Sequence, residues 1–393
     1  MNENLKFIFK TIAAVVTKGE IPEVPEGIDW KLVYTICIKH NIANMFAYAL
    51  SDAKFSGVPE NIRNAFLKQL QLDVMLDARQ NSEMKLISDK FEESKLDFMP
   101  VKGIIIKNMY PSTDMRRMSD IDILTRVGME EEYKKAMLEL GYEFIRNKTN
   151  EYVFKKSVVS IELHRYLITP GNDDLFSYYD TGWKLAKKTG DYKYQLSCED
   201  EFVYLITHFV KHYRNAGCGI KPLVDIWVYK TKSKLNMEYV NEQLQKMNLL
   251  EFSKNLFKLI KVWFEDDNAD ETMIEMTKFI VLSGEYGTSE NSVAAKAIRG
   301  KYSEKSEKKT KLKLWFQMIF LGRKSMAKKY PVLNKLPFLL PFFWIYRGLE
   351  IVLFKRNRIK HQSQNVKNQF GENVNRYDEH MKRVGLDIYN GRE

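Results

Sequence analysis

Asp120 and Asp122 stand one residue apart in the run Ser119-Asp120-Ile121-Asp122-Ile123-Leu124, and their types and spacing are the chain's strongest hint of chemistry. On an extended strand, residues i and i+2 leave the same face. The two carboxylates therefore point together while Ile121 and Ile123 enter a core. Like charges side by side repel, and burying either one unpaired is costly. A hard divalent cation such as Mg²⁺ resolves the conflict, because it takes carboxylate oxygens and keeps waters and phosphates as its other ligands. A solvated pair on an edge strand is the plain alternative. Glu162 bears on the choice: it lies between Ile161 and Leu163 in a second apolar run, where an acid is out of place unless paired or metal-bound. Three carboxylates on adjacent strands can hold two divalent ions ~3.5–4 Å apart, one activating an attacking hydroxyl and the other binding a triphosphate. Such a centre suits in-line displacement at phosphorus, which needs positioning and charge neutralisation above all. Glu162 would be the acceptor-side ligand, placed to orient or deprotonate the attacking hydroxyl.

Composition narrows the setting. The 393 residues, 45% hydrophobic and 29% charged, suffice for two or three domains with real cores. Cys37, Cys198 and Cys218 are scattered, with neither a disulfide framework nor zinc-ligand spacing, so a cytoplasmic location is expected. The start, Met1-Asn2-Glu3-Asn4-Leu5-Lys6, lacks the pattern of a signal peptide. A net charge of +11 favours phosphate-bearing partners without choosing among nucleotides, nucleic acid and anionic lipid. A solvated basic face explains it as simply. No RNA-recognition motif is present, and no specific nucleic-acid partner is expected.

The acids need elements to position them. Residues 1–95 read as helices: Leu32, Val33, Ile36 and Cys37 show i, i+3, i+4 spacing. Asn61 to Ser94, free of Pro and Gly and polar on one side, reads as one long helix or two. Residues 96–197 read as a small α+β unit. A strand from Phe98 ends in a glycine turn at Gly103, a helix runs from Ile104 to Met109, and a strand from Asp120 to Thr125 follows. Next come a helix from Glu130 to Leu140 stopped by Gly141 and a hairpin of Tyr152–Lys155 and Val158–His164 turning at Lys156-Ser157. Residues 198–302 read as a helical domain closing the cleft, with helices at Glu201–Tyr213, Leu223–Lys230, Met237–Met247 and Leu250–Glu265. Residues 303–393 read as a basic and apolar helical segment in which Ser303 to Lys311 is a charged linker or exposed loop. Within it, Leu336 to Phe354 is strongly apolar, but Pro337, Pro341, Arg347 and Glu350 argue against a membrane span. It packs as a buried helical hairpin or makes peripheral membrane contact over 336–358, with Lys355-Arg356-Asn357-Arg358 behind it.

The ordered run Val101-Lys102-Gly103, Tyr110-Pro111, Arg116-x-x-Ser119-Asp120-Ile121-Asp122-Ile123-Leu124 and Ile161-Glu162-Leu163-His164 resembles the polymerase-β-like nucleotidyltransferase superfamily. More narrowly, it is similar to the bacterial "uncharacterised nucleotidyltransferase" family, with its L-K-G, R-x-x-x-D-I-D-L-L and D/E-L-H pattern. Thr207-His208-Phe209-Val210-Lys211-His212 and Leu223-Val224-Asp225-Ile226 are similar to that family's helical half. The resemblance spans roughly residues 60 to 230 and weakens towards the end. It implies an α+β fold in which a small mixed sheet is embedded in helical segments. It also implies two Mg²⁺ ions, with Mn²⁺ as a substitute, on Asp120, Asp122 and Glu162. The partners it implies are an NTP, ATP first, and a hydroxyl acceptor that is a sugar, a small molecule or a protein. The nucleotide-binding residues it implies are Lys102, Gly103, Arg116, Ser119, Lys211 and Lys221. The superfamily's Gly-Ser or Gly-Gly pair is here Gly103-Ile104, so a serine contact to triphosphate is missing. This keeps open a module that binds nucleotide or a partner without catalysis.

Other readings remain open from sequence. Lys102 and Arg116 contact phosphate or pair with the aspartates, and Lys211, Arg214 and Lys221 line the cleft or are solvated helix charges. Asp225 orients one of those last three cations, and His164 supports Glu162. His208 and His212 pack; Phe209 stands where a zinc-protease helix needs its glutamate. Tyr152 and Trp227 fit a core as well as a base-stacking role.

Overall fold

The computed structural model describes residues 2–148, 150–170, 173–301, 326, 330, 332–344, 346 and 371–386. The chain divides into a first compact unit running to Thr288, which takes in Arg383–Leu386, and a second drawn from Ser289–Lys382.

The first unit opens with α1 (Glu3–Thr17), α2 (Trp30–Lys39) and α3 (Ala43–Ala47), followed by the long α4 (Glu60–Glu93). Asn2 caps α1 and Asp29 caps α2, each accepting a backbone N–H of the first turn. Phe7 of α1 stacks on Phe55 at 5.6 Å and meets Phe46 of α3 edge-on at 5.9 Å, and Phe46 stacks on Phe66 of α4 at 5.1 Å. These rings fasten the first third of α4. Its last third, with Met84, Ile87 and Phe91 buried, packs on the sheet. One uninterrupted 34-residue helix thus joins two cores.

The sheet contains β1 (Phe98–Val101), β2 (Ile121–Thr125), β3 (Glu143–Asn147), β4 (Glu151–Lys156) and β5 (Val159–His164), in the order β1-β2-β5-β4-β3. Only β2 and β5 run parallel; every other neighbour is antiparallel. Between β1 and β2 lies the four-residue α5 (Gly103–Ile106), and between β2 and β3 lies α6 (Glu130–Glu139). Gly141, at φ +82°, terminates α6: its N–H reaches Leu138 and that of Tyr142 reaches Met137, as the glycine stop predicts. Because Lys156 pairs with Val159, the hairpin turns at Ser157-Val158, one residue later than the sequence reading, with Ser157 at φ 55°. A small second hairpin pairs Lys187–Lys188 with Tyr194–Gln195.

α7 (Asp173–Tyr179) precedes that second hairpin, and after it the first unit is helical: α8 (Cys198–Tyr213), α9 (Lys221–Lys232), α10 (Met237–Lys246), α11 (Leu250–Phe264) and α12 (Glu271–Ser283). Ser197 caps α8, whose apolar face buries Phe209 and Tyr213 against Phe252 of α11. Trp263 of α11 stacks on Phe9 of α1 at 4.2 Å, so the helical end of this unit closes on its beginning.

The second unit begins with α13 (Ser289–Lys301). Met326 and Leu333 form a small buried cluster, against which Tyr330, Leu339, Leu340, Phe343 and Trp344 pack. Ser303 to Lys311, and Leu336 to Phe354 beyond residue 346, lie outside the described residues. Among the described residues no helix is long and apolar enough to cross a membrane.

Candidate functional site

The register of β2 on β5 sets Asp122 directly opposite Glu162, and that of β1 on β2 sets Asp122 opposite Val101. Asp120 lies just before β2, and His164 follows Glu162 by two residues on the same face. The four side chains line one wall of a cleft of about 490 Å³ whose other walls come from α8, α9 and Glu285-Tyr286.

Asp122 is held from two sides. Lys102 Nζ sits 2.7 Å from Asp122 Oδ1, and His164 Nε2 sits 2.6 Å from the same oxygen. The Asn150 amide donates to Tyr166 O and faces His164 Nδ1 at 3.2 Å, which leaves Nδ1 as the acceptor and Nε2–H as the donor to Asp122. Burial opposes the charge on Asp122, but Lys102 and His164 outweigh it and hold the carboxyl below the usual carboxylate range. Burial also opposes the charge on Lys102, yet Asp122 keeps the ammonium above its usual range.

The other charges in the cleft pair off, with three exceptions. Arg116 meets both oxygens of Asp225 at 3.2 and 2.9 Å, and Tyr110 donates to the same carboxylate at 2.8 Å. Lys221 meets Glu285 at 2.8 Å, and Lys148 pairs with Glu151. Asp120 has no ion pair among the described residues, and Glu162 has only Lys148 at 3.8 Å and His164 at 3.7 Å. Burial, then the charge of Asp122, raises Asp120 to about 6. Burial, then Asp120 and Glu151, raises Glu162 to about 7. On the opposite wall Lys211 makes no ion pair among the described residues and reaches only Thr169 Oγ1 at 3.4 Å; burial, then Lys102, lowers it to about 8. Among the described residues Asp120 and Lys211 thus make no ion pair, and Glu162 makes only two long ones.

The donor set fits a hard divalent ion. Asp122, Glu162 and His164 offer ligand atoms within 4.8 Å of one another, and Asp120 adds carboxylate oxygens at the rim. With its Nε2 proton committed to Asp122, His164 orients a ligand more readily than it becomes one.

The segment carrying these groups is gripped by the middle of α4, whose polar side the sequence reading left open. Asp77 takes Lys107 at 2.6 Å and Thr113 at 2.6 Å, Asp73 takes Arg117 at 2.9 Å, and Gln80 donates to Met118 O. Asp73 and Gln80 are almost fully buried, so this face is a clamp on the approach to β2. Gly103 is needed for close approach: a Cβ there would meet the Arg116 guanidinium, and Met118 Sδ at 2.5 Å. Lys102 precedes it at φ 57°, ψ −126°, a conformation that costs a lysine ~1–3 kcal/mol. Below it Glu201 of α8 is buried, takes the Lys102 backbone N–H, and leaves Oε1 without a partner; burial raises its carboxyl to about 7.

Asp120, Asp122, Glu162, Lys102, Gly103, Arg116, Ser119, Lys211 and Lys221 all line the one cleft. Ser119 is exposed, with its Oγ 3.4 Å from the Tyr286 hydroxyl. Two expected pairings change. His164 bonds Asp122 rather than Glu162, because the parallel register points its Nε2 across to β2. Asp225 holds Arg116, while Arg214 turns away to Asp174. Tyr152 lies under Arg165 and Trp227 on Phe264, both outside the cleft. His208 and His212 do line it, with Nε2 atoms 3.2 Å apart. Sequence reasoning passed over Glu151, Lys148, Asn150 and Glu285. For Glu151 the available signal was an acid opening a strand that faces Glu162 and His164. Glu285 is 64 residues from Lys221, and nothing local announces it.

A family model described as uncharacterised nucleotidyltransferase matches residues 26–265. No curated protein is significantly similar in sequence. Two solved structures show limited likeness. The solution structure of the antibiotic-resistance factor ANT(2'')-Ia is 12% identical and covers 42% of this chain and 90% of its own, with a TM-score of 0.32. The crystal structure of ANT(2")-Ia in complex with adenylyl-2"-tobramycin is 11% identical and covers 43% and 97%, with a TM-score of 0.30.

Proposed function

The chain belongs to the uncharacterised nucleotidyltransferase family, and from that premise we propose that it transfers NMP from an NTP, ATP first, to a hydroxyl-bearing acceptor. The acceptor would be a sugar, a small molecule or a protein side chain, with no specific nucleic acid involved. The observation that carries this reading is that Asp120, which makes no ion pair among the described residues, and Glu162, which makes only two long ones, flank the doubly held Asp122 in one cleft. Asp120, Asp122 and Glu162 would hold divalent magnesium, with manganese as a substitute. The ions would neutralise phosphate charge and lower the barrier to displacement at phosphorus.

The acceptor oxygen forms a bond to the α-phosphorus, and the bond from that phosphorus to the bridging oxygen breaks. Pyrophosphate leaves with the electron pair. The hydroxyl proton would pass to Glu162, the carboxylate on the acceptor side. Lys102 and His164 keep Asp122 ionised and oriented. Lys211 is the cation free to meet a phosphate, whereas Arg116 and Lys221 bring theirs already braced by Asp225 and Glu285. Gly103 and Ser119 would sit against the nucleotide. The catalytic portion is taken as 96–197, between helical 1–95 and 198–302, with 303–393 beyond. Scattered free cysteines suit a cytoplasmic location.

The test is transfer of label from α-labelled ATP, with Mg²⁺ or Mn²⁺, to candidate acceptors. Wild type is expected to label an acceptor and Asp122→Ala to fail; equal labelling by both would overturn the assignment. Lys102 seated on Asp122 favours one second reading, a module that binds nucleotide without turnover. Metal-dependent ATP binding with no labelled product across the acceptor set would select it.

A further inference from the structure

Tyr286 lines the cleft and, at 78%, is the most exposed large apolar side chain among the described residues, yet the backbone on either side of it is fastened. The Glu285 N–H donates to Lys39 O at 3.2 Å, and the Glu285 carboxylate takes Lys221 at 2.8 Å and the Asn41 amide. Thr288 donates to Ala216 O at 2.8 Å. Gly284 at φ +66° and Gly287 at φ +75° make the bends between these anchors, and a Cβ on Gly287 would strike the Ala216 carbonyl. Connecting loops are commonly mobile. This one is tied at three points, so the ring is placed in advance with its faces open to a ligand.

The groups around the ring select the ligand. Lys221, bound to the neighbouring Glu285, and Arg116 are the braced cations that the proposed transfer gives to phosphate. Ser119, whose Oγ lies 3.4 Å from the Tyr286 hydroxyl, immediately precedes Asp120. Glu162, the acceptor-side acid, has Lys148 and His164 as its charged partners and none from this loop. The part of an NTP that is attached to its phosphates is therefore what meets Tyr286. That part ends in a planar heteroaromatic base, and a fixed tyrosine ring with open faces offers it an offset stack. Such a stack needs no particular hydrogen-bonding edge, since every base has a π-face.

We propose that Tyr286 is the seat of the nucleobase, its ring stacking on the base while the triphosphate runs inward to the carboxylates and the braced cations. This rests on the nucleotidyl-transfer reading and adds to it a residue from beyond the matched stretch 26–265.

The experiment is calorimetric titration of the full chain, in Mg²⁺, with a non-hydrolysable ATP analogue and separately with inorganic tripolyphosphate. Wild type should bind both. Tyr286→Ala should lose about tenfold or more in affinity for the analogue and none for tripolyphosphate, which has no base to stack. Tyr286→Phe keeps the ring without the hydroxyl and should bind the analogue as wild type does. All three proteins should melt at the same temperature, because the ring is exposed. The proposal is overturned if Tyr286→Ala holds the analogue as tightly as wild type; a raised KM for the acceptor in its place would give the ring to the other substrate. An equal loss for both ligands also overturns it, since the effect would then lie at the phosphates or the metal. So does a Phe variant as weak as the Ala variant, which would make the hydroxyl the contact. Wild type that binds tripolyphosphate as tightly as the analogue overturns the base seat alone, whereas wild type that binds neither overturns the nucleotide reading and this proposal with it.

Discussion

Replacing Asp120 by asparagine should stabilise the metal-free protein while destroying its metal site. Asp120 is largely shut from water, lies beside the charge of Asp122, and makes no ion pair among the described residues; its carboxyl rises from 3.8 to about 6. A rise of that size corresponds to at most about 3 kcal/mol carried by the ionised folded state. The direction in pH follows from linkage. An acid raised in the folded chain binds its proton more tightly there. Its favourable contribution is therefore present below the unfolded value of 3.8 and is lost as pH rises through about 6. At about pH 8 the full penalty applies in wild type and vanishes in Asp120→Asn; near pH 4 the two proteins converge. The expected gain at about pH 8 is ~1–3 kcal/mol, or roughly 2–8 °C in Tm for a unit of this size. The assay is thermal unfolding in chelator at both pH values, repeated with Mg²⁺. Wild type should gain from Mg²⁺ at the higher pH only, and the variant should gain little at either. The reasoning is refuted if Asp120→Asn is no more stable than wild type at the higher pH, or if its advantage persists near pH 4.

Three further outcomes follow from the geometry. Gly103→Ala forces a methyl into Arg116 and Met118, with Arg116 pinned by Asp225; a loss of ~1–3 kcal/mol and weaker ATP binding are expected, read by denaturant unfolding and calorimetry. Asp77→Ala leaves the fully buried Lys107 ammonium without its partner, at a cost of about 3–5 kcal/mol in the same unfolding assay; Lys107→Met in the same chain should restore much of it. Lys211→Gln removes a buried cation that has no carboxylate, so stability should hold or rise while the KM for ATP increases, a split that unfolding and initial-rate measurements separate.

What could be read from the residues was local. The aspartate pair, the out-of-place Glu162 and the stops at Gly103 and Gly141 all announce themselves through periodicity or through a polar side chain in an apolar run. From these a small α+β unit with three acids on its strands could be foreseen, the mixed sheet being what the family resemblance implied, and β2 and β5 do lie side by side with Asp122 opposite Glu162. What escaped depends on distant partners. The role of the polar face of α4 stayed open because nothing in its own sequence reveals that Asp73, Asp77 and Gln80 meet residues 107–118. Strand β3 has every residue exposed and no alternation, so it carried no strand signal. The exchange of His164 from Glu162 to Asp122 is set by the register between two parallel strands, which a single sequence does not encode locally.

The most direct test of the central claim is a titration of Mn²⁺ into the chain with a non-hydrolysable ATP analogue, followed by electron paramagnetic resonance. Saturable binding by wild type, greatly weakened in Asp120→Asn and in Glu162→Gln although both stay folded, is the expected result. Wild type that binds no Mn²⁺, or variants that bind it as tightly as wild type, would contradict a metal centre built on these carboxylates.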